Sequence, residues 1–443
     1  MPKLGLISLG CAKNLVDSEH MLARLRDAGW EITEDMTEAD VGVVNTCGFI
    51  EAAKTEAIET ILETAQNKQT GNMKGLVVTG CLVQRYADEM RAELPEIDVF
   101  CGTGSYDDIV DAANAAFKGQ QAAYMADMTS AALDGSRDRL TPSYTAYFKI
   151  AEGCSNTCAY CIIPKLRGRY RSREMASLLK EARALSDAGV KELIVIAQDI
   201  TKYGMDLPEH KRLLPELLRE LCKMDFTWIR LHYLYPDQIT DELIDVIAEP
   251  KIVKYLDIPL QHVSKRILRA MHRPGDGAEF TRLIEDMRER IPGLVLRTSL
   301  IVGLPGETED EFAELCEFLQ NVGIERVGVF EYSPEEGTEA AELPDQIDDE
   351  TKQNRRLIVE ELQSGVLDDY NTSRHGEVMQ VLCEGFDEEQ GLWYGRTYAD
   401  SVEVDGHVYF DAADNEPAEG EFVSVLITES LGPDLLGVRQ KEA

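Results

Sequence analysis

The sequence predicts an α/β protein with two α/β domains followed by a small C-terminal β-barrel. Apolar, strand-like segments alternate with amphipathic, helix-like segments along residues 1–118 and again along residues 143–372, as in parallel sheets covered by helices. Over residues 373–443 the segments shorten and are separated by Gly, Asp and Asn, which is typical of an all-β barrel. Residues 119–142 are rich in Ala, Ser, Asp and Gly without a clear period, so we predict a linker there.

In the first domain, each of three predicted strands ends at a cysteine. The strands cover residues 4–10, 41–46 and 75–80, and the cysteines that follow them are Cys11, Cys47 and Cys81. Helical segments between the strands favour a doubly wound parallel sheet, which binds its ligands outside the carboxyl ends of the strands. We therefore expect the three cysteines to converge on one edge of the sheet, although they are remote from one another in sequence.

The second domain contains six predicted strand–helix units. The strands are expected at residues 147–151, 192–197, 228–234, 255–259, 295–302 and 326–332. Six such units suit a partial (βα)6 barrel, whose functional site lies at the carboxyl ends of its strands.

Composition and charge disfavour several classes of protein. The chain has 45 Lys and Arg against 81 Asp and Glu, a formal net charge of −36, whereas proteins that neutralise nucleic-acid phosphates normally present a basic surface. No apolar run approaches the roughly 18 residues of a membrane span, and the apolar start of the chain is too short for a signal peptide. We therefore predict a cytoplasmic protein whose ten cysteines serve metal binding or catalysis rather than disulfides.

The strongest local motif is a C-x3-C-x2-C sequence that directly follows the first strand of the second domain. Its members are Cys154, Cys158 and Cys161. Three thiolates on one short loop can ligate three irons of a [4Fe-4S] cluster and leave the fourth iron open. A structural zinc site would need four closed ligands, and an electron-transfer ferredoxin would need a fourth cysteine nearby. We therefore predict an open cluster site, with plain packing of three cysteines as the alternative.

This motif, on the first strand of a six-unit βα domain and with Tyr160 between its last two cysteines, resembles the radical S-adenosylmethionine (SAM) superfamily. In that family the open iron is chelated by the amino and carboxyl groups of SAM, and one-electron transfer cleaves SAM to methionine and a deoxyadenosyl radical. The resemblance implies SAM contacts at Gln198 and Asp199, which end the second strand. It also implies contacts at Ser299 and Gly303, on and just after the fifth strand.

Both cysteine sets together resemble the methylthiotransferase family over essentially the whole chain. The motifs concerned are residues 8–11 (Ser-Leu-Gly-Cys), 45–50 (Asn-Thr-Cys-Gly-Phe-Ile) and 79–81 (Thr-Gly-Cys). The resemblance implies two [4Fe-4S] clusters, the second of which carries or supplies sulfur, and a second SAM that methylates this sulfur. It also implies that the C-terminal barrel is a TRAM domain, and that a reductant such as flavodoxin or ferredoxin is a partner.

The family has branches that act on transfer-RNA adenosine and on an aspartate of small-subunit ribosomal protein S-twelve. Residues 10–18 and 332–338, the latter with Glu335 and Glu336, resemble the ribosomal-protein branch. From Arg374 onward, sixteen acidic residues face four basic ones, a balance that should repel RNA and attract a basic ribosomal protein. We therefore expect the substrate to be the beta carbon of an aspartate in that protein. Transfer RNA remains the alternative substrate, and a non-catalytic two-cluster electron carrier or scaffold the alternative class.

Three residues are candidates for catalytic roles. Arg167 and Arg171 belong to a basic segment that follows the loop cysteines, and either could hold the carboxylate of SAM or of the target aspartate, since a guanidinium donates two parallel hydrogen bonds. A structural arginine network is the alternative. His262 follows the fourth strand and could line the cavity, although a lone histidine is more often structural. Cys101 is expected to pack in the core.

Overall fold

The first domain is a six-stranded parallel sheet with helices on both faces, in a computed structural model that describes residues 1–402, 404–412 and 415–440. Its strands are β1 (Lys3–Ser8), β2 (Glu31–Ile32), β3 (Val41–Thr46), β4 (Gly75–Gly80), β5 (Val99–Cys101) and β6 (Ala122–Tyr124). Its helices are α1 (Ala12–Asp27), α2 (Glu51–Ala65), α3 (Asn67–Thr70), α4 (Cys81–Glu93) and α5 (Ile109–Phe117). The strands lie in the order β2-β1-β3-β4-β5-β6, which confirms the doubly wound α/β arrangement.

Strands β3 and β4 are buried on both faces, which explains why they form continuous apolar runs in the sequence. On β3, Val43 packs with residues of α1 and α5, whereas the adjacent Val44 packs with residues of α2 and α4. Successive side chains of a strand point to opposite faces, so no position in such a strand is left for a polar residue that faces solvent.

Residues 119–142, which we expected to be a linker, also contribute to the first sheet. Within them, β6 pairs in parallel with β5 at the edge of the sheet. Arg137 then donates hydrogen bonds to Glu19 of α1 (2.9 Å from Nε) and to Glu181 in the second domain (2.6 Å from Nη1). The segment is therefore fixed to both domains. A three-residue strand is too short to produce a recognisable period in the sequence.

The second domain is an open six-stranded parallel sheet in sequential order, as predicted for a partial (βα)6 barrel. Its strands are β7 (Thr145–Lys149), β10 (Glu192–Ile196), β11 (Trp228–Leu231), β12 (Ile252–Asp257), β13 (Val295–Val302) and β14 (Arg326–Glu331), with a small ribbon formed by β8 (Ala151–Glu152) and β9 (Arg171–Ser172). Its helices are α6 (Ile163–Arg167), α7 (Met175–Asp187), α8 (Leu214–Cys222), α9 (Asp241–Ile247), α10 (Lys265–Ala270), α11 (Gly277–Arg290), α12 (Glu309–Val322) and α13 (Asp349–Ser373).

The two faces of this sheet have different neighbours. The outer face packs against its own helices in the largest apolar cluster of the chain, as at Leu193 and Val195. The inner face, at Ile194 and Ile196, packs against Val16 of α1 in the first domain. The first domain therefore covers the inside of the half-barrel.

The C-terminal domain is a closed five-stranded barrel, which confirms the predicted β-barrel. Its strands are β15 (Val378–Asp387), β16 (Leu392–Arg396), β17 (Val408–Asp411), β18 (Phe422–Leu431) and β19 (Asp434–Arg439). Residues 403, 413, 414 and 441–443 of the predicted segment 373–443 lie outside the described ranges. None of the helices within those ranges is long and apolar enough to cross a membrane.

The connection between β16 and β17 closes the base of the half-barrel. Residues 397–402, here called the plug segment, lie against its inner face, from Arg326 at the start of β14 to His232 just after β11. Arg230 of β11 donates to the Tyr398 carbonyl (3.0 Å), and Arg326 of β14 pairs with Asp400 (2.8 Å). The plug segment therefore joins the TRAM domain to the inside of the half-barrel.

Candidate active site between two cysteine sets

The cysteines of the C-x3-C-x2-C motif, here called the loop cysteines, lie on the loop between β8 and α6. Cys154 and Cys158 are buried, and Cys161 is half-buried. The Cys154 N–H donates to the Gly168 carbonyl (3.1 Å), and the Cys161 N–H donates to the Cys158 carbonyl (3.0 Å). These backbone bonds fold the loop so that its three thiols face the same region, where Cys154 and Cys158 both raise the pKa of Cys161.

Polar groups from two later loops surround Cys158. The Tyr235 hydroxyl lies 3.5 Å from its Sγ, and Nη1 of Arg273 lies 4.0 Å from the same atom. Arg273 also lies over the Tyr235 ring, 4.3 Å from its centroid. Burial raises the pKa of Cys161 to about 12. The Cys161 thiol therefore becomes a thiolate when it binds metal rather than by free ionisation.

Cys11, Cys47 and Cys81, here called the sheet-edge cysteines, lie at the carboxyl edge of the first sheet, as the strand pattern predicted. Cys11 caps α1, Cys47 follows β3, and Cys81 is the first residue of α4. An adjacent glycine lets each of these three segments approach its neighbour. A Cβ on Gly10 would lie 2.7 Å from the Cys47 Cβ, and a Cβ on Gly80 would lie 2.5 Å from the Thr46 carbonyl. Only glycine allows the segments to pack this closely.

Arg167 joins the sheet-edge cysteines to the second domain. Its Nε donates to the Cys81 Sγ (3.2 Å) and its Nη2 to the Asn14 side-chain oxygen (2.9 Å). Its Nη1 pairs with Asp17 of α1 and lies 3.5 Å from Glu152 of β8. The side chain is buried and every nitrogen has a partner within the protein. Arg167 is therefore a bridge between domains rather than a free anion receptor.

Glu152 and Gln198 continue this network towards the loop cysteines. Burial would raise the pKa of Glu152, but the charges of Lys149 and Arg167 outweigh it and hold the pKa at about 2. Gln198 donates to Glu152 (2.7 Å). Its own side-chain oxygen is buried and has no hydrogen-bond partner among the described residues. An unused acceptor beside the loop cysteines suits a ligand that carries N–H donors.

Asp199 supports the loop cysteines from the end of β10. Its carboxylate accepts from the Thr201 N–H (3.0 Å) and from the Asn156 side chain (3.2 Å), which lies between Cys154 and Cys158. Burial raises the pKa of Asp199 above its usual value. Both residues predicted at the end of the second strand are therefore close to the motif.

The remaining predicted residues lie further from the cysteines. The Ser264 N–H donates to Nδ1 of His262 (3.0 Å), so Nε2 carries the proton that faces Glu307 (3.2 Å). Glu307 also accepts a hydrogen bond from the Gly303 N–H. Gly303 in turn packs closely against Lys352. His262 and Gly303 thus belong to one buried structural cluster, and the structure brings neither to the cysteines.

Arg171, Ser299 and Cys101 also have local surroundings of their own. Arg171 donates to backbone carbonyls in residues 128–131, and Ser299 is half-buried within β13. Cys101 is buried in the core, with its Sγ 3.1 Å from the Ser105 carbonyl. Cys101 thus packs in the core as expected, and among the described residues no cysteine of either set is a hydrogen-bond partner of Arg171 or Ser299.

Three residues near the cysteines were missed by the sequence reasoning: Lys13, Tyr235 and Arg273. Tyr235 and Arg273 come from loops with no recognisable motif, so no local signal could have identified them. Lys13 did have a signal, because a lysine in the first turn of a helix opposes the helix dipole. A residue that is unfavourable for its own helix suggests a role elsewhere.

Both cysteine sets have the donor chemistry of iron–sulfur cluster sites. No three His, Cys, Asp or Glu side chains in the described part of the chain surround a single metal ion. Cluster ligands do not need to, since each thiolate binds a different iron. Each set supplies three free thiols, and in each set two of them raise the pKa of the third, which is Cys81 in one set and Cys161 in the other. Each set therefore fits a cluster with one open iron.

Known protein families match the chain in three consecutive parts. The uncharacterized protein family UPF0004 matches residues 3–102, the radical SAM superfamily residues 148–319, and the TRAM domain residues 376–439. The radical SAM match implies SAM and a [4Fe-4S] cluster, which confirms that part of the cofactor prediction. The match at residues 376–439 confirms that the C-terminal barrel is a TRAM domain.

Relatives of known name extend over the full length. The ribosomal protein uS12 methylthiotransferase RimO of Lachnoclostridium phytofermentans is 48% identical over 441 residues, which cover 99% of this chain and 100% of that protein. The protein of the same name from Clostridioides difficile is 48% identical and covers 99% of this chain and 98% of its own length.

Among solved structures, the radical SAM methyltransferase TsrM of Kitasatospora setae, with cobalamin and a [4Fe-4S] cluster bound, is similar in fold. Its TM-score is 0.58 at 17% identity, over 77% of each chain. This similarity concerns the fold alone. The full-length identity and the order of the three family matches are decisive, and this chain belongs to the RimO family of radical SAM methylthiotransferases.

Proposed function

We propose that this enzyme adds a methylthio group to the beta carbon of an aspartate in ribosomal protein uS12, with two [4Fe-4S] clusters and two molecules of SAM. The observation that carries the proposal is the placement of two three-thiol sets on either side of one buried charged network. The network runs from Cys81 through Arg167 and Glu152 to the loop that begins at Cys154. Radical generation and sulfur delivery need separate open irons that face one cavity, and this arrangement supports both.

The loop cysteines would hold the cluster that binds SAM and supplies the deoxyadenosyl radical for hydrogen removal. The unused oxygen of Gln198 supports a role for this residue in orienting the SAM amino group. Asp199 would act by holding Asn156, and therefore the loop itself, in place. Ser299 and Gly303 remain candidates for SAM contacts because they lie on and just after β13.

The sheet-edge cysteines would hold the second cluster, which supplies sulfur at its open iron. The chain contributes the enclosure around both sites. Helix α1 covers the inner face of the half-barrel, and the plug segment closes its base. Water is thereby excluded from the region in which a radical would form.

Charge supports uS12 rather than transfer RNA as the substrate. The names of the full-length relatives specify uS12, and the acidic TRAM domain would attract a basic ribosomal protein. Glu335, one of the two acidic residues that suggested this branch, has a different role. It is buried between Arg85 (2.7 Å) and Lys54 (3.1 Å) and fastens the first domain to the second. The support that surface charge gives to uS12 as the substrate therefore comes from the acidic residues of the TRAM domain.

An anaerobic assay tests the proposal. The protein is reconstituted with iron and sulfide and given SAM and a reductant, either flavodoxin or ferredoxin, and purified uS12 and transfer RNA are offered in parallel. Mass spectrometry should find a methylthio group on one aspartate of uS12 and none on RNA. Modification of RNA alone would reject the substrate, and uncleaved SAM would favour an electron carrier.

Single cysteine variants separate the two sites. Cys161→Ala should abolish SAM cleavage, whereas Cys47→Ala should retain cleavage and lose methylthio transfer. Cys316→Ala is the matched control, because Cys316 is also half-buried but lies outside both sets. Equal loss of SAM cleavage in Cys47→Ala and Cys161→Ala would contradict a division of roles.

A further inference from the structure

Lys13 is a buried cation without a carboxylate partner. Its side chain is 8% exposed, and its Nζ lies 3.6 Å from the centroid of the Tyr233 ring. Within residues 1–402, 404–412 and 415–440, no Asp or Glu oxygen lies within 4.0 Å of this nitrogen. The other buried lysines differ, since Lys149 pairs with Glu152 (2.8 Å) and Lys352 pairs with Asp349 (3.1 Å). A buried charge is costly unless it is paired. Because none of the described carboxylates pairs with Lys13, an anionic group of a ligand would stabilise its charge.

The position of Lys13 limits which anion could reach it. It lies in the first turn of α1, two residues after Cys11, and extends from the first domain into the inner side of the half-barrel. Tyr233 follows β11 there, and Asp257 ends β12. Asp257 is already paired with Arg297 (3.2 Å). The Nζ of Lys13 therefore lies between the sheet-edge cysteines and the ends of the barrel strands.

We propose that Lys13 binds the side-chain carboxylate of the target aspartate and thereby selects aspartate for modification. This inference rests on the proposed function and deepens it. The reacting beta carbon of an aspartate is bonded directly to its carboxyl carbon, so an anchored carboxylate fixes the reacting carbon one bond away. A lysine beside Cys11 would hold that carbon next to the sulfur-supplying site. An ammonium makes a compact contact, which leaves the other side of the aspartate free for hydrogen removal.

The test compares the binding of two forms of uS12. After the modified aspartate has been identified by mass spectrometry, that residue of uS12 is changed to asparagine, which keeps its shape and removes its charge. Affinity for both forms is measured with the cluster-loaded enzyme in the absence of SAM, so that no turnover occurs. The wild-type enzyme should prefer the aspartate form by about tenfold, which corresponds to about 1.4 kcal/mol.

Variants of Lys13 test whether this residue causes the tighter binding of the aspartate form of uS12. Lys13→Met should bind both forms of uS12 equally, and Lys13→Arg should retain a preference, whereas SAM affinity and iron content should not change. Lys74→Met is the matched control, because Lys74 also lies over an aromatic ring (4.2 Å from the Phe117 centroid) but is half-exposed and paired with Asp40. It should keep the full preference.

The outcomes that overturn the inference differ from those that overturn the proposed function. An undiminished preference in Lys13→Met, or a loss of SAM affinity instead, would reject the role in aspartate binding. Lys13→Gln is the second neutral variant, and loss of iron from both neutral variants would assign Lys13 to the cluster instead. A wild-type enzyme that neither binds nor modifies uS12 would reject the proposed function itself.

Discussion

The loop cysteines and the sheet-edge cysteines each present three thiols, but the two sets are held in place in different ways. The loop cysteines belong to one short segment held by its own backbone hydrogen bonds. The sheet-edge cysteines come from three strand ends, and their geometry depends on the packing of the sheet, on glycines at the points of contact and on Arg167 from another domain. A local site can survive damage to the fold, whereas a distributed site requires the whole fold.

Charge reversal at Arg167 should produce the largest difference in iron content between the two cysteine sets. In Arg167→Glu, a carboxylate would lie buried against Asp17 and Glu152, at a cost of about 3–5 kcal/mol of stability. We expect iron to fall from about eight to about four atoms per chain, because only the loop cysteines would keep their cluster. Iron and sulfide analysis with electron paramagnetic resonance would measure this, together with loss of methylthio transfer.

Arg171→Glu is the matched control for that experiment. Arg171 belongs to the same basic segment, but its guanidinium contacts only backbone carbonyls outside the cysteine sets. This variant should keep both clusters. Retention of about eight irons in Arg167→Glu would show that the sheet-edge site does not depend on the domain contact.

A single methyl group should also separate the two sets. In Gly48→Ala, the new Cβ would lie 2.8 Å from the Leu82 backbone, so one of the three converging segments must shift. We expect partial loss of iron from the sheet-edge site. In Gly365→Ala the new Cβ meets no atom within 4 Å, and helix α13 should gain about 0.5–1 kcal/mol. Iron content and thermal unfolding are measured for both variants. Equal iron content in Gly48→Ala and Gly365→Ala would contradict the argument that the three segments need a glycine at their contact.

The smallest expected effect concerns the interface between the half-barrel and the TRAM domain. This interface has a buried charge network without cysteines, so it shows what such a network contributes to stability when no cluster site depends on it. Glu192 pairs there with Arg230 (2.9 Å) and Arg396 (2.7 Å). Burial would raise the pKa of Glu192, but the two arginines lower it to about 2. Since the folded pKa lies below the unfolded value of about 4.3, this stabilisation is complete above that pH and is lost as pH falls towards 2.

Thermal unfolding between pH 7 and pH 3 checks that dependence. The wild type should lose stability below about pH 4.3, and Glu192→Gln should be less stable at pH 7 but lose less on acidification. Glu152, with a pKa also held at about 2, contributes the same slope to both proteins. Parallel pH profiles of the two proteins would contradict the assignment to Glu192.

The features that were predictable from the sequence are those that reside in contiguous segments. The strands of four or more residues in both sheets and the C-x3-C-x2-C motif could be identified because a periodic or local pattern marks each of them, whereas the two-residue β2 has no such pattern. The convergence of the sheet-edge cysteines was also predictable, since parallel strands end at one edge. Strand β6 escaped detection because three residues contain no period.

The partners of charged side chains could not be predicted. The sequence makes Arg167 a candidate anion receptor, with a structural arginine network as the alternative, but its contacts with Asp17 and Cys81 join residues that are remote in sequence and meet only when two domains pack. His262 was placed in the cavity because it follows a strand, yet Glu307 holds it in a structural cluster. Lys13 lies within residues 10–18 and opposes the dipole of α1, but only the structure shows that it is buried without a carboxylate partner.

The plug segment also has a consequence for how the protein is made. Translation proceeds from the N-terminus, so both α/β domains leave the ribosome before residues 397–402 do. Until then, Arg230 and Arg326 face an open barrel base without their partners at Tyr398 and Asp400. The chain thus acquires a closed interior only in the final stage of its synthesis. A stalled or truncated product that had already bound iron would leave the region in which a radical would form open to water.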